Sequence, residues 1–235
     1  MLNGLSIFFP AYNEEDNIGK SIKSALSAAK RIAEKYEVIV VLARNSSDNT
    51  GNIVKNLMRK NNKIRLVYQE IKDKGYGVAL RLGIANSRYD YIFYTDADNQ
   101  YNMEEITKLL PYLKDYDIIS GYRLKRGDVI GRIFLAFVYN LILRTMFRTG
   151  VRDIDSAFKI YKKKIFEKVK LNYSTGIVDA EIIIKAQRNG FKVKEIGVHH
   201  YNRQAGKAMY EIWNIGMIKP KVIFDLIRDI IRLWT

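Results

Sequence analysis

Two aspartates two residues apart, Asp96 and Asp98, stand in the run Thr95-Asp96-Ala97-Asp98-Asn99-Gln100, directly after an apolar segment. In an extended stretch residues i, i+2 and i+4 share one face, so Asp96, Asp98 and Gln100 can present hard oxygen ligands to one Mg²⁺ or Mn²⁺. Such ions are held by one or two carboxylates together with substrate phosphates. They offset the negative charge that builds on a diphosphate leaving group. The pattern is short, and a solvated turn built on Asp98-Asn99 would read the same way. Two further polar clusters carry similar chemistry: Asn13-Glu14-Glu15, and Asn45-Ser46-Ser47-Asp48.

The elements that must position these clusters alternate in type. Leu5 to Phe9 is a strand-like run ended by Pro10, and Ile18 to Ala33 carries Ile18, Ile22, Ala25, Leu26, Ala29 and Ile32 at helical spacing. Val38 to Leu42, Ile64 to Tyr68 and Tyr91 to Thr95 read as strands, with helices near 53–58 and 77–85 between them. This rhythm predicts a mostly parallel α/β sheet with helices on both faces. The three polar clusters follow the first, second and fourth strands. Ligands of open parallel sheets bind beyond the carboxyl ends of the strands, so all three converge on one site. The second half predicts strands at 118–121, 157–161 and 193–198, helices at 131–148 and 178–188, and helix again from Tyr210 to Trp234, interrupted by Gly216 and Pro220.

The 235 residues suffice for one domain with an appendage, which predicts a main domain over 1–207 and an amphipathic helical segment over 208–235. With 48% hydrophobic and 28% charged residues the chain has a globular composition. It has no cysteine, which excludes disulfides and thiolate metal sites, and its two histidines, His199 and His200, leave little room for zinc. No basic, then apolar, leader precedes the first strand, which predicts a cytoplasmic protein. The formal charge of +15 calls for an anionic partner: nucleic acid, an anionic membrane surface or a phosphorylated substrate. The basic residues spread along the chain without a recognised motif, which argues against nucleic acid despite the many tyrosines. Lys72-Asp73-Lys74-Gly75-Tyr76-Gly77 matches no phosphate-binding loop and reads as a loop entering a helix.

Two segments bear on the membrane. In 131–148 the row Arg132, Ala136, Asn140, Arg144, Arg148 is polar and basic, while Ile133, Phe134, Leu135, Phe137, Val138, Leu141, Ile142 and Met146 fill the other rows. Its apolar run is too short for the roughly 20 residues that span a bilayer; an interfacial helix and a packed core helix both fit. Near the C-terminus, Val222, Ile223, Leu226, Ile227, Ile230, Ile231 and Trp234 form one stripe beside basic residues, which suits a headgroup boundary or docking on the domain.

Several segments, in order, resemble family 2 glycosyltransferases of the GT-A fold. Phe9-Pro10-Ala11-Tyr12-Asn13-Glu14-Glu15 looks like the opening motif, Val41 to Thr50 lies where the second motif falls, and Thr95 to Gln100 is similar to the metal motif. Asp155-Ser156-Ala157-Phe158-Lys159 and Arg203 to Lys207 resemble segments of the dolichol-phosphate mannose synthase branch. The resemblance implies a nucleotide-sugar donor, a divalent metal and inversion at the anomeric carbon. Carried over by position, it implies that Pro10, Ala11, Tyr12 and Glu14, with Ala43, Arg44, Asp96 and Ala97, line the nucleotide pocket. Asp96, Asp98 and Gln100 would hold the metal and diphosphate, and Arg123, Arg132 and Arg203 the diphosphate and an acceptor phosphate.

The second motif departs from the family. Where the pattern carries paired aspartates, this chain reads Ala43-Arg44-Asn45-Ser46-Ser47-Asp48. Lost hydrogen bonds to the base would cost about 1–3 kcal/mol, unless Arg44 meets a phosphate or shifts the base preference. A polyprenyl phosphate is the favoured acceptor, because a phosphate with a second pKa near 6 is already anionic. It needs arginine forks more than a base, and Asp155 or Asp179 stands in reserve should one be needed. A glycan or other hydroxyl acceptor, and a catalytically weak scaffold that keeps the fold, remain the alternatives.

Overall fold

The computed structural model describes residues 1–124, 130–203, 205, 211–212, 217–218 and 220–234. Its elements are β1 (Leu2–Ala11), α1 (Ile18–Ile32), β2 (Ala33–Ala43), α2 (Thr50–Lys60), β3 (Ile64–Gln69), α3 (Tyr76–Asn86), β4 (Tyr91–Thr95), β5 (Ile118–Arg123), α4 (Ile130–Phe147), β6 (Phe158–Lys162), α5 (Ile165–Lys168), α6 (Val178–Arg188), β7 (Val193–Val198), β8 (Glu211–Ile212), β9 (Met217–Ile218) and α7 (Pro220–Trp234). One seven-stranded sheet runs β3-β2-β1-β4-β6-β5-β7. β1 pairs in parallel with β2 and β4, and β2 with β3. β6 is inserted antiparallel between β4 and β5, and β5 pairs in parallel with β7.

The sheet is covered on both faces, and adjacent residues of one strand show which face is which. Tyr94 stacks with Phe8, whose ring lies against Gly83 of α3, and donates a hydrogen bond to Asp179 of α6. Phe93 points the other way, edge-on to Phe158, which in turn packs on Tyr101 near the short 3-10 turn Met103–Lys108. Side chains alternate along a strand, so α3 and α6 cover one face. α1 packs with α2 and with that 3-10 turn. The central strands are apolar on both sides, as parallel strands buried under helices should be.

Two expectations are corrected. β1 does not stop at Pro10 but runs to Ala11, with Pro10 opposite Val41; proline's fixed φ suits extended backbone, and only its missing N–H weakens the end of the ladder. The C-terminal stretch is not helical from Tyr210: Glu211–Ile212 pairs antiparallel with Met217–Ile218, and the helix starts at Pro220. Proline is favoured at a first helical position, where no N–H is needed. α7 buries Ile230 and Leu233, while Phe224, Ile231 and Trp234 remain exposed; its stripe residues Val222, Ile223, Leu226 and Ile227 lie outside the described side chains. It is held by Thr175 Oγ1 donating to Asp229 at 2.7 Å and by Trp234 edge-on to Phe147. Among the described residues no helix is long and apolar enough to cross a membrane.

Candidate functional site

Three loops meet at the carboxyl ends of β1, β2 and β4. Asn13, in left-handed conformation at φ 52°, accepts the Ser47 N–H on its Oδ1 at 2.8 Å, and its own N–H donates to Ser46 Oγ at 2.9 Å. Glu14 N–H donates to Thr50 Oγ1 at 2.8 Å, and Glu15 N–H to Asp48 Oδ2 at 2.9 Å. Burial disfavours ionised Asp48, but hydrogen bonds from Thr50, Glu15 and Ser46 outweigh it and hold the carboxyl below its usual range. The one aspartate of this cluster thus joins the two loops. Short polar side chains satisfy backbone N–H groups that no sheet ladder reaches.

The turn after β4 is fixed with equal economy. Asn99 adopts φ 59°, a conformation asparagine tolerates, and its Nδ2 donates to the Asn17 carbonyl at 3.1 Å. Ser21 of α1 donates to the Ala97 carbonyl at 2.8 Å. Asp98 is buried and accepts the Gln100 N–H at 3.1 Å. The Asp96 Oδ1 accepts from the Tyr76 hydroxyl at 3.2 Å. Gln100 donates from Nε2 to the Tyr201 carbonyl at 2.9 Å, which leaves Oε1 as its oxygen for a ligand role.

The electrostatics of this turn oppose ionised carboxylates. Burial, then the charges of Asp98 and Asp179, push the Asp96 carboxyl up to about 8. Burial raises Asp98 as well, against the Gln100 N–H and Arg203, and burial raises Glu14 against Asn17 and Arg203. A divalent ion would relieve this repulsion, and a pair of carboxylates with room for phosphate oxygens is the donor set that Mg²⁺ and Mn²⁺ accept. The described residues offer that pair, not a cage of three or more His, Cys, Asp or Glu.

Arg203, from the segment after β7, reaches across the mouth. Its Nη2 lies 2.5 Å from Glu14 Oε1, its Nη1 3.6 Å from Asp98 Oδ2, and its Nε donates to the Ala205 carbonyl at 2.8 Å. Pro10 and Ala11 end β1, and half-buried Tyr12 follows. One strand in from the sheet edge, Ala43 ends β2, and Arg44 forks onto Glu70 at 2.7–3.0 Å while its guanidinium lies 4.5 Å from the centre of the Tyr68 ring. Glu70, just past β3, was not singled out from the sequence.

The remaining candidates gather beyond β5 and β6. Arg123 is bound in a fork to Asp153, with Nε at 2.7 Å and Nη2 at 2.5 Å, and burial notwithstanding this pairing holds it fully charged. Asp155 has a buried Oδ1 with no partner at hydrogen-bond geometry among the described residues, with Tyr139 nearby; burial, then Asp179, push its carboxyl to about 7, against the pull of Arg123. Asp179 is engaged by Lys159 Nζ at 2.6 Å and by the Tyr94 hydroxyl. Arg132 falls on α4, but its side chain lies outside the described residues, as does Lys207. His199 donates its N–H to Glu105 and its ring sits 2.6 Å from that carboxylate, a structural tie.

Reasoning from sequence missed Tyr76, Tyr94 and Asp153. The signals were there: a tyrosine between two glycines, a tyrosine inside an otherwise apolar strand, and a carboxylate two residues before Asp155. A groove of about 240 Å³ opens beside Arg123, lined among others by Tyr122, Phe137, Leu141, Arg144 and Arg152. The larger cavity, about 920 Å³, lies away from the three loops, against Asn3, Tyr91 and Lys162 to Lys164, and takes no part in the site.

Comparison with known proteins places this geometry. The profile described as Glycosyl transferase family 2 matches residues 6–170. An undecaprenyl-phosphate 4-deoxy-4-formamido-L-arabinose transferase of Pseudomonas fluorescens (strain SBW25) is 25% identical over 95% of this chain and 63% of its own length. The dolichyl-phosphate beta-glucosyltransferase of Homo sapiens is 25% identical over 98% of this chain and 77% of its own. The chain thus spans less than two thirds of the first of these relatives. Among solved structures, glucosyl-3-phosphoglycerate synthase from Mycobacterium tuberculosis, in complex with Mn²⁺, UDP and glucosyl-3-phosphoglycerate, superposes with a TM-score of 0.68 at 18% identity, covering 87% of this chain and 73% of that one.

Proposed function

The chain belongs to glycosyl transferase family 2, and on that premise we propose that it transfers a hexose from a nucleotide sugar to a polyprenyl phosphate, with inversion, at the cytoplasmic face of a membrane. The observation that carries the reading is the Asp96–Asp98 turn: two carboxylates raised by burial, Asp96 also by the charge of Asp98, in a turn fixed by α1 at the carboxyl ends of the parallel strands. Asp96, Asp98 and Oε1 of Gln100 are the groups that would hold Mg²⁺ or Mn²⁺. The ion, when bound, neutralises charge on the departing nucleoside diphosphate.

The chain's own residues do the rest. Pro10, Ala11, Tyr12 and Glu14 form the floor of the nucleotide pocket, with Ala97 beside them and Ala43 and Arg44 at its base-proximal rim. Arg203 already spans Glu14 and Asp98, so its guanidinium is in reach of a diphosphate that displaces it. Arg123, with Arg132 as a second cation, stands on the acceptor side, where the groove with Phe137, Leu141 and Arg144 pairs apolar surface with positive charge. That combination suits an amphiphilic phosphate. Two relatives bear undecaprenyl-phosphate or dolichyl-phosphate in their names, which supports the same acceptor. Ile133, Phe137, Leu141 and Ile142 of α4 and Phe224, Ile231 and Trp234 of α7 are exposed, with Arg144 and Arg232 nearby in sequence. An apolar face edged by arginine fits an interfacial helix on an anionic membrane. Asp155, at about 7, is tuned for proton transfer if a hydroxyl acceptor replaces the phosphate.

The test is direct. The chain is incubated with Mn²⁺ or Mg²⁺, labelled GDP- and UDP-sugars and a short polyprenyl phosphate. Lipid-linked sugar that vanishes in Asp98→Ala is the expected result. Transfer only to a glycan acceptor would replace the lipid reading, and failure to bind any nucleotide would leave a scaffold.

A further inference from the structure

The glycine-flanked tyrosine of Lys72 to Gly77 matches no phosphate-binding loop, yet its backbone is built with unusual closeness. Gly75 has φ 125°, a conformation that side chains rarely adopt, and a Cβ there would lie 2.3 Å from the Ser174 carbonyl oxygen. A Cβ on Gly77 would lie 2.3 Å from the Tyr173 carbonyl oxygen. Only glycine permits such an approach. The contact is locked by the Gly77 N–H donating to the Ser174 carbonyl at 2.9 Å. Tyr76, first residue of α3, is thereby set at one height and one direction above the sheet.

Its hydroxyl meets Asp96 Oδ1 at 3.2 Å, and it is the hydrogen-bond donor to that carboxylate among the described residues. The charges that act most strongly on Asp96 are negative: Asp98, Asp179 and Glu14. Behind Tyr76 the hydroxyl of Tyr94 lies close enough to act on it, Tyr94 donates to Asp179, and Asp179 is capped by Lys159, which is wholly buried. A continuous polar chain thus runs from Lys159 on β6, through α6 and β4, to the Asp-Ala-Asp turn.

We propose that Gly75-Tyr76-Gly77 is a positioning element for the metal-diphosphate carboxylate, in which Tyr76 holds Asp96 by Oδ1 and leaves Oδ2 for the cation. Tyr76 is a positioning residue, not a catalytic one. The inference rests on the reading of Asp96 and Asp98 as the metal pair. A carboxylate surrounded by like charge turns away from its neighbours unless a donor fixes it, and preorganised ligands are what make a two-carboxylate site bind.

The experiment measures Mn²⁺ binding by electron paramagnetic resonance, with UDP or GDP present, in the unaltered chain, Tyr76→Phe and Asp98→Ala. Thermal unfolding is followed on the same proteins without metal. Phenylalanine keeps the ring and deletes only the donor. The expected result is Mn²⁺ binding weakened about tenfold in Tyr76→Phe, the effect of losing one hydrogen bond to a charged group, with the metal-free melting temperature little changed. Unchanged Mn²⁺ affinity in Tyr76→Phe, alongside its loss in Asp98→Ala, overturns the positioning role and leaves the proposed function standing. A fall in metal-free stability with Mn²⁺ affinity intact assigns Tyr76 to the core alone. Absence of Mn²⁺ binding by the unaltered chain removes both readings together.

Discussion

Replacing Lys159 by methionine tests whether the buried ion pair under the site holds the domain together. Lys159 has no exposed surface, and its Nζ lies 2.6 Å from Asp179 Oδ1 and 3.4 Å from the Tyr94 hydroxyl, while donating also to the Ser156 carbonyl. Methionine fills similar volume without charge, so the loss is electrostatic. Asp179 would keep one neutral donor, Tyr94, and would face Asp96 and Asp155, both of which already feel its charge. Breaking one side of a buried pair costs about 3–5 kcal/mol, a large share of the roughly 5–15 kcal/mol that stabilises a domain. Equilibrium unfolding in urea should show the midpoint lowered by on the order of 1 M, given a slope near 3 kcal/mol per M for a chain of this size. The double variant Lys159→Met with Asp179→Leu should recover much of that loss, because well-packed apolar replacements of a buried pair are often neutral. A cycle of the two would then report strong coupling. A cost below about 1 kcal/mol for Lys159→Met, or a double variant as unstable as the two singles added together, would refute the reasoning.

Four further outcomes follow from the same geometry. The Asp155 carboxyl, faced by Asp179 on α6, Arg123 on β5, Asp153, Lys159 on β6 and Tyr139 on α4, is raised from 3.8 to about 7. The folded state therefore holds its proton more tightly than the unfolded chain, and this stabilisation is full below pH 4 and lost as pH rises through 7. The loss is on the order of 4 kcal/mol, and Asp155→Asn should flatten that part of the stability-pH curve measured by urea unfolding. Gly83→Ala puts a Cβ 2.3 Å from the Phe8 ring, so it should lower the melting temperature through about 1–3 kcal/mol of overpacking, despite alanine's better helix propensity. Arg44 and Glu70 are about half exposed, where solvent screens an ion pair, so Arg44→Ala should leave the urea midpoint essentially unchanged. By contrast, Ala43→Asp with Arg44→Asp should tighten nucleotide-sugar binding about tenfold by calorimetry; unchanged affinity would show that the base does not reach this rim.

Much of the fold was legible in the chain because its signals are local. Apolar residues at helical spacing over 18–32 and 178–188, and β-branched runs at 38–42 and 64–68, report backbone preference within a few residues, and the structure follows them. The order of three polar clusters after three strands placed the site at one end of the sheet, and the family to which the chain belongs bears out the fold. Ends and exceptions were harder. Pro10 continues a strand because its neighbours supply the ladder, and Glu211–Ile212 pairs with Met217–Ile218 although the periodicity there reads as helix.

Partnerships between distant residues had no local signal at all. Arg203 meets Glu14 across 189 positions, and Lys159 meets the Asp-Ala-Asp turn only through Asp179, Tyr94 and Tyr76. Those meetings depend on the antiparallel insertion of β6 between β4 and β5, which sets Lys159 beside Tyr94 and Phe158 beside Thr95. The amino-acid sequence therefore determined the α/β class and the meeting of three polar clusters, the Asp96–Asp98 turn among them, at the carboxyl ends of the strands. Packing decided which charges oppose that pair, which arginine closes over it and which hydroxyl holds it. Strand order brings those groups together, and burial then multiplies the strength of every charge they carry.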